Sequence, residues 1–534
     1  MLDYDFIVVG SGFGGSVAAL RLAQKGYTVA VLERGKRFRA QDFAKTNWNF
    51  RKFLWSPKLF CYGIQAITLL RDVLVLHGSG VGGGSLVYAN VLLEPPEEVF
   101  RSPGWPAAFN WREELGRHYV TARRMLGATT ARCQSDLDHM LESIAGDMDR
   151  AETYHPTQVG VFFGEPDKTV SDPYFDGDGP ERTGCNFCGG CMTGCRTNAK
   201  NTLDKNYLYL AEQRGVAVFP ETEVRDIRPL PGGGYEVQTR RVTDWPIQHK
   251  RRFRSRGIVL AAGVLGTVPL LFRCVDSGSL PKLSSKLGTL VRTNSEALVG
   301  ATARDSKADY SNGIAIASGF FPNDDTHVEM VRYAAGQDFM ATLATLMAGG
   351  GGHVPRWLRL IGNIVRHPVD FVRTLNPLGW ARRSGILLVM QPLHNFMSLR
   401  LRRRWYWPFA KTLTSEWSTD SRVPKYFPIA NDVAQRLGDK MDGIPQSLLP
   451  EVLLNLTSTA HILGGCPMGE TAEEGVIDPR GRVFGYEDFY VCDGSIVPAN
   501  LSVNPSLTIT ALAEWVCSHI PEKGAEMRFS RRPE

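Results

Sequence analysis

Residues 5–9, DFIVV, run straight into Gly10-Ser11-Gly12-Phe13-Gly14-Gly15 and then into SVAALRLAQKG, and no other stretch constrains this chain as tightly. A short apolar run ending at glycine reads as a strand, and Ala and Leu recurring at helical spacing read as a helix. Gly10 permits the tight turn, Gly12 lets backbone approach a pyrophosphate, and Gly15 lets the helix pack on the strand. The helix N-terminus is left facing the phosphates, with Gly14 in its first turn. A second apolar run, YTVAVLE, ends at Glu33, about 20 residues on, where a carboxylate can accept ribose hydroxyls. A glycine loop alone is weak evidence; two strands, a helix and the acid together predict a dinucleotide site on a Rossmann-like α/β sheet.

The rest of the chain must supply more than that sheet. With 534 residues, it is too long for one core and suggests roughly two to three domains. Its net charge of +6 is spread widely, so charge alone does not imply nucleic acid as a partner. No run of about 18 uncharged apolar residues appears, so no spanning helix is expected. The start, MLDYDFIVVG, lacks a basic region and a cleavage site. The expectation is a cytoplasmic, reducing location, which disfavours disulfides.

The far end of the chain says which dinucleotide. EDFYVCDGSIVPANLSVNPSLTITALAEWV places an apolar strand before Asp493-Gly494, and Asn504-Pro505 then open a helix. Asn504 sits where an N-cap belongs and Pro505 fits the first turn. A helix start aimed at an isoalloxazine ring stabilises the negative charge that develops when a flavin takes a hydride, which suits FAD better than NAD. The alternative is an ordinary capped surface helix.

Two further stretches carry chemistry or its appearance. Cys185, Cys188, Cys191 and Cys195 fall within CNFCGGCMTGC. Three thiols at this spacing suit an iron–sulfur cluster of three or four irons, although Arg196 stands where ferredoxin runs carry proline. Zinc and reduced structural thiols are the other two readings. Between residues 353 and 407 lies a basic apolar insert, HVPRWLRLIGNIVRHPVDFVRTLNPLGWARR followed later by LRLRRRWYW. Trp357, Leu358, Ile361, Ile364 and Val365 share one helical face and Arg359, Asn363 and Arg366 another. Such a helix either lies in a membrane interface or packs over its own domain with solvated arginines.

The segments VVGSGFGGSVAALRLA, GSGVGGGSLVYANVLLEP (78–95), GIVLAAGVLGTVPLLFR (257–273) and AHILGGCPMGE through NPSLTITALAEW (460–515) resemble the glucose-methanol-choline (GMC) oxidoreductases. Within that family they are similar to the cholesterol oxidase branch. The resemblance implies an α/β (α+β overall) architecture, with a discontinuous FAD-binding domain from 1–100, 201–302 and 460–534. A substrate-binding domain on a mixed or antiparallel sheet, from 101–200 and 303–459, would roof the flavin. It implies a cofactor-lining set that adds Arg34, Gly80, Gly82, Gly83, Gly84, Ser85, Asn90, Val224, Ala262 and Gly263 to Gly10, Gly12, Phe13, Gly14, Gly15, Glu33, Asp493, Gly494, Asn504 and Pro505.

The family's catalytic histidine falls on His461 and its partner asparagine on Asn504. A group titrating near neutrality is what removal of a hydroxyl proton requires, and a carboxamide can hold the oxygen. The acid that moves a double bond falls on Asp338, in HVEMVRYAAGQDFMATLATLM. The expected activity is FAD-dependent oxidation of a bulky apolar alcohol, a 3β-hydroxysteroid foremost. Two alternatives stay open: electrons leaving through the thiol loop to an acceptor protein, and a non-redox flavoprotein.

Overall fold

The structure is a computed structural model describing residues 2–244, 247–351, 353–404, 407–417, 421–422, 424 and 426–525. The N-terminal elements form as the spacing predicts: β1 (Tyr4–Val9), α1 (Phe13–Gln24) and β2 (Val29–Leu32). β1 lies parallel to β2, with Phe6 beside Val29 and Val9 beside Leu32. On its other edge it lies parallel to the strand Lys250–Leu260, with Tyr4 beside Ser255 and Val9 beside Leu260. A strand flanked in parallel on both edges is covered on both faces, and Ile7 and Val8 are fully buried.

Strand order across this seven-stranded sheet is Ala217–Phe219, β2, β1, Lys250–Leu260, Tyr235–Arg241 and Thr222–Pro229. The outer edge of Lys250–Leu260 serves two partners in turn. Its first half pairs antiparallel with Tyr235–Arg241, and Ile258–Leu260 pairs parallel with Phe489–Val491. Both ends of the chain therefore meet on one strand. The core of this half also takes in Trp111, Leu115 and Tyr119 of the helix Trp111–Leu126, so that helix packs with the dinucleotide sheet rather than with the roof expected from 101 onward.

The roof is a second seven-stranded sheet, ordered Ala344–Leu346, Gly443–Leu448, Ala297–Ala303, Ser384–Met390, Thr326–Val331, Ile316–Asn323 and His155–Pro156. Every pairing in it is antiparallel. Ala297–Ala303 belongs here, although the sequence reading left it in the dinucleotide half. Alternation sorts its side chains: Val328 and Met330 join a core with Leu137, Leu141 and Leu437 from two covering helices, while Ile316, Val331 and Leu388 form the opposite face.

The basic insert opens with two helices, Arg356–Arg366 and Pro368–Leu375, broken where Pro368 starts the second. Their amphipathicity is turned inside out relative to a surface helix. Asn363 donates to Met347 O and Arg359 to Gly350 O, so these polar groups face the protein. Trp357, Ile361, Val365, Val369, Val372 and Leu378 are exposed, by 45% to 75%. Ile364 alone of the predicted apolar face turns inward, against Leu360 and Val452. Residues 405 and 406 of the LRLRRRWYW stretch lie outside the described residues. Among those described, no helix is long and apolar enough to cross a membrane.

Candidate active site

A cavity of about 510 Å³ runs between the two sheets, and both the dinucleotide motif and the roof's second face line it. Gly10, with φ +99°, turns the chain where a Cβ would sit 2.5 Å from Ala261 O. Gly14 and Gly15 are demanded by packing, since Cβ atoms there would lie 1.5 Å from Cys492 O and 2.0 Å from Gly10 O. Gly12 is different: a Cβ on it would meet nothing nearer than Gly83 Cα at 4.0 Å. The protein's own packing does not require that glycine, whereas a pyrophosphate against the loop backbone does. On this ground the residues present fit FAD.

Phe13, Glu33, Arg34, Gly83, Gly84, Val224, Ala262, Gly263, Asp493, Gly494, Asn504 and Pro505 line the same cavity. Glu33 is nearly buried and already accepts from Ser11 N, Ser11 Oγ and Gly35 N, which fixes its carboxylate at the cavity wall. Asp493 accepts from Gly263 N, Thr267 Oγ1 and Ser495 N, so it clamps the C-terminal strand to the turn beside it. Burial pushes its carboxyl upward despite those donors.

Gly80, Gly82 and Ser85 do not line the cavity. They shape its loop instead: Gly80 and Gly82 hold positive φ angles, and Ser85 Oγ donates to Gly82 O while accepting from Leu203 N. Asn90 is fully buried just behind the lining residues Ala89 and Val91, and neither atom of its carboxamide has a hydrogen-bond partner. Sequence reasoning missed His77, which lines the cavity near Arg34 and whose pKa burial pushes down to about 3. A lone histidine in a strand gave no pattern to find it by.

The helix Ser506–Ser518 starts with Asn504, Pro505 and Ser506 at the cavity wall. Pro505 occupies the N-cap position, and no side chain caps the helix. Asn504 is therefore not the cap its position suggested. Its Nδ2 donates to Glu329 Oε2 at 3.1 Å, and the uncapped first-turn N–H groups remain for an anionic partner.

His461 lines the cavity beside Asn504, and its Nδ1 is in ion-pair contact with Glu296. Glu296 is held by Ala460 N at 2.8 Å. Burial pulls the imidazole pKa down, but the Glu296 charge and hydrogen bond, with Glu329 beyond, outweigh it and leave it raised. With Nδ1 committed to Glu296, Nε2 is the nitrogen left for a ligand.

Glu329, like Glu296, is a further residue that sequence reasoning missed. It is fully buried on the strand Thr326–Val331, and burial raises its carboxyl to about 8 despite the Asn504 donor. Asp338, the expected acid, lies apart from the cavity. Its two carboxylate oxygens accept from Gly379 N at 3.1 Å and Ala381 N at 2.8 Å, which makes it a cap for the short helix Trp380–Arg383. Glu329 and Asp338 stand nine residues apart in the same stretch, and nothing in a strand's alternation marks a glutamate as inward-facing.

The thiol loop does not converge. Among the described residues, no group of three or more His, Cys, Asp or Glu side chains is placed to hold a metal ion, and all ten cysteines are free. Cys185, Cys191 and Cys195 are buried with Val159, Ala199 and Ile314 in a small apolar core, while Cys188 is exposed. Their sulfurs act locally: Cys185 accepts from Phe187 N and Cys195 from Lys200 N, each at 3.4 Å. Burial, with the neighbouring thiols, pushes the Cys185 thiol up to about 12, while at Cys195 burial is outweighed by Lys205, Thr197 and backbone N–H groups, which lower its thiol. As placed, the donors do not form an iron–sulfur or zinc site among the described residues.

A dinucleotide cradle opening onto a buried His–Glu pair and a carboxamide defines a cofactor-dependent oxidoreductase. Residues 402–513 match the model of the GMC oxidoreductase family and residues 8–65 that of an NAD(P)-binding Rossmann-like domain. The chain is 45% identical to a cholesterol oxidase of Acinetobacter baumannii, over 98% of this chain and 95% of that one. It is 48% identical to a cholesterol oxidase of Mycobacterium tuberculosis strain H37Rv, over 99% and 93%. The crystal structure of pyridoxine 4-oxidase from Mesorbium loti superposes with a TM-score of 0.60 at 14% identity, covering 97% of this chain and 99% of that one, and so shares the fold. This chain belongs to the GMC oxidoreductases, in their cholesterol oxidase-like branch, and is an FAD-dependent alcohol oxidoreductase.

Proposed function

We propose that the chain oxidises the secondary hydroxyl of a bulky apolar alcohol, with a 3β-hydroxysteroid the foremost candidate. The observation that carries this is the pairing of His461 with Glu296 at one end of a cavity whose other wall is Ile316, Val331, Tyr333, Trp380, Ile386 and Leu388. Bound FAD supplies the hydride acceptor. His461 takes the hydroxyl proton, a step general-base groups accelerate by about 10²–10⁴-fold. Asn504 orients the oxygen, and the apolar wall excludes water and selects a hydrocarbon skeleton. Glu329, rather than Asp338, is the carboxyl we assign to proton movement next to the new carbonyl. The names of the cholesterol oxidase relatives support the sterol class. Among the described residues, an outlet for electrons through the thiol loop has no ligand set behind it.

An anaerobic bleaching screen tests this reading. A 3β-hydroxysteroid should reduce the bound flavin and sugars should not; failure of every alcohol tried overturns it. The outward apolar side chains of the insert further support peripheral docking on a lipid surface, the source of such a substrate. In liposome sedimentation the protein should pellet with anionic vesicles, and the double variant Ile361→Asp, Val365→Asp should remain in the supernatant.

A further inference from the structure

The roof sheet holds a second histidine that the catalytic pair does not use. His327 is fully buried two residues before Glu329, on the same strand face, and neither of its ring nitrogens has a hydrogen-bond partner. Its Nδ1 is 3.9 Å from Glu329 Oε1, itself buried and unpartnered. Its ring stacks on that of His155, with centroids 5.4 Å apart and planes 12° from parallel. A Cβ built on Gly319 would sit 2.8 Å from His327 Nε2 and 3.5 Å from His155 Nε2, so both ring edges converge on one glycine. His155 is half-buried, on the two-residue strand at the sheet's edge.

The tautomers follow from the partners. His155 Nδ1 lies 2.8 Å from Thr153 O; a carbonyl only accepts, so Nδ1 carries the proton and Nε2 presents a lone pair. His155 Nε2 and His327 Nε2 both lie beside Gly319, and neither His327 nitrogen is engaged elsewhere, so a proton on His327 Nε2 and a lone pair on Nδ1 toward Glu329 is the tautomer a relay requires. We infer that Glu329, His327 and His155 form a proton conduit between the buried catalytic cavity and solvent. A proton leaves the Glu329 carboxyl for His327 Nδ1 as another leaves His327 Nε2 for His155, which passes one on to water. One proton enters the chain for each that leaves. The conduit requires a small side-chain rotation or a bridging water both at the 3.9 Å gap to Glu329 and between the two histidine Nε2 atoms.

Burial pushes His327 down to about 3, so it hands protons through without resting as a cation. Glu329, raised to about 8, holds a proton to give at neutral pH. The groups facing Glu329 are Asn504, His461 and Glu296; those facing His327 are His155 and Glu329. The Arg332–Asp138 pair lies on the opposite face of the sheet and closes on itself at 2.6 Å.

The inference rests on the proposed role of Glu329, so its test needs no substrate and cannot fail together with the alcohol screen. The FAD-loaded protein is mixed rapidly into deuterated buffer, and the carboxylic-acid C=O band that Glu329→Gln abolishes is followed by infrared difference. Exchange should slow at least tenfold in His327→Phe, which keeps the ring stack, and in His155→Phe. Added imidazole should restore it in His327→Ala. Exchange as fast in both phenylalanine variants as in the parent overturns the conduit, as does slowing in His327→Ala that imidazole leaves unchanged. If His327→Phe fails to bind FAD, His155→Phe decides alone.

Discussion

The glycine loop and the cysteine loop look equally purposeful in the sequence, and they meet different fates in three dimensions. The glycine motif specifies backbone: Gly10, Gly14 and Gly15 are dictated by atoms 1.5–2.5 Å from where a Cβ would stand, so spacing and geometry are one fact. The cysteine motif specifies only side chains, and where four thiols point depends on the packing around them. Here Val159, Ala199 and Ile314 draw three of them into an apolar core and Cys188 is left outside. Regular spacing is strong evidence when the backbone itself does the binding and weaker when rotamers must cooperate.

The sharpest way to break this comparison is at the catalytic end. His461→Ala should retain FAD and its yellow colour yet lose about 10²–10⁴-fold in the rate of flavin reduction by substrate, measured anaerobically in stopped flow. Next comes Glu296→Gln. Reduction requires neutral His461, so its rate rises with pH through the imidazole pKa, which Glu296 holds above its usual value. Without that charge, burial prevails and the pKa falls, so the acid limb of the profile should move to lower pH, with about a tenfold lower plateau from the lost orientation of the ring. An unshifted limb would remove Glu296 from the mechanism.

Smaller effects are expected where the sequence suggested chemistry and the fold supplies structure. Asp338→Ala should leave the rates of oxidation and isomerisation within about twofold while lowering stability by about 1–3 kcal/mol in a denaturant titration, because one buried and one part-buried backbone N–H group lose a charged acceptor. Smallest of all is Cys188→Ser: the absorption spectrum and flavin reduction should be unchanged, and elemental analysis of the parent should find no stoichiometric iron or zinc. A brown chromophore bleached by this substitution would restore the cluster.

Much of the dinucleotide half was legible because each motif couples spacing to a steric necessity. His461 and Asn504 were legible through the resemblance around them, and both lie on the cavity wall. Glu329 was not, since an acid buried in an antiparallel strand has the same local pattern as an exposed one; only the neighbours Asn504 and His461 reveal it. The orientation of the insert was hidden for a related reason. Helical periodicity separates Trp357, Ile361 and Val365 from Asn363 and Arg359 but does not say which set faces the protein, and here Met347 O and Gly350 O claim the polar one.

The strand Lys250–Leu260 takes β1 on one edge and Phe489–Val491 on the other. During synthesis, residue 9 must wait for residue 260, and the floor beneath them stays unfinished until residue 491 has left the ribosome. A premature stop before codon 489 would remove Phe489–Val491 and leave the Ile258–Leu260 edge open and sticky rather than yield a trimmed enzyme.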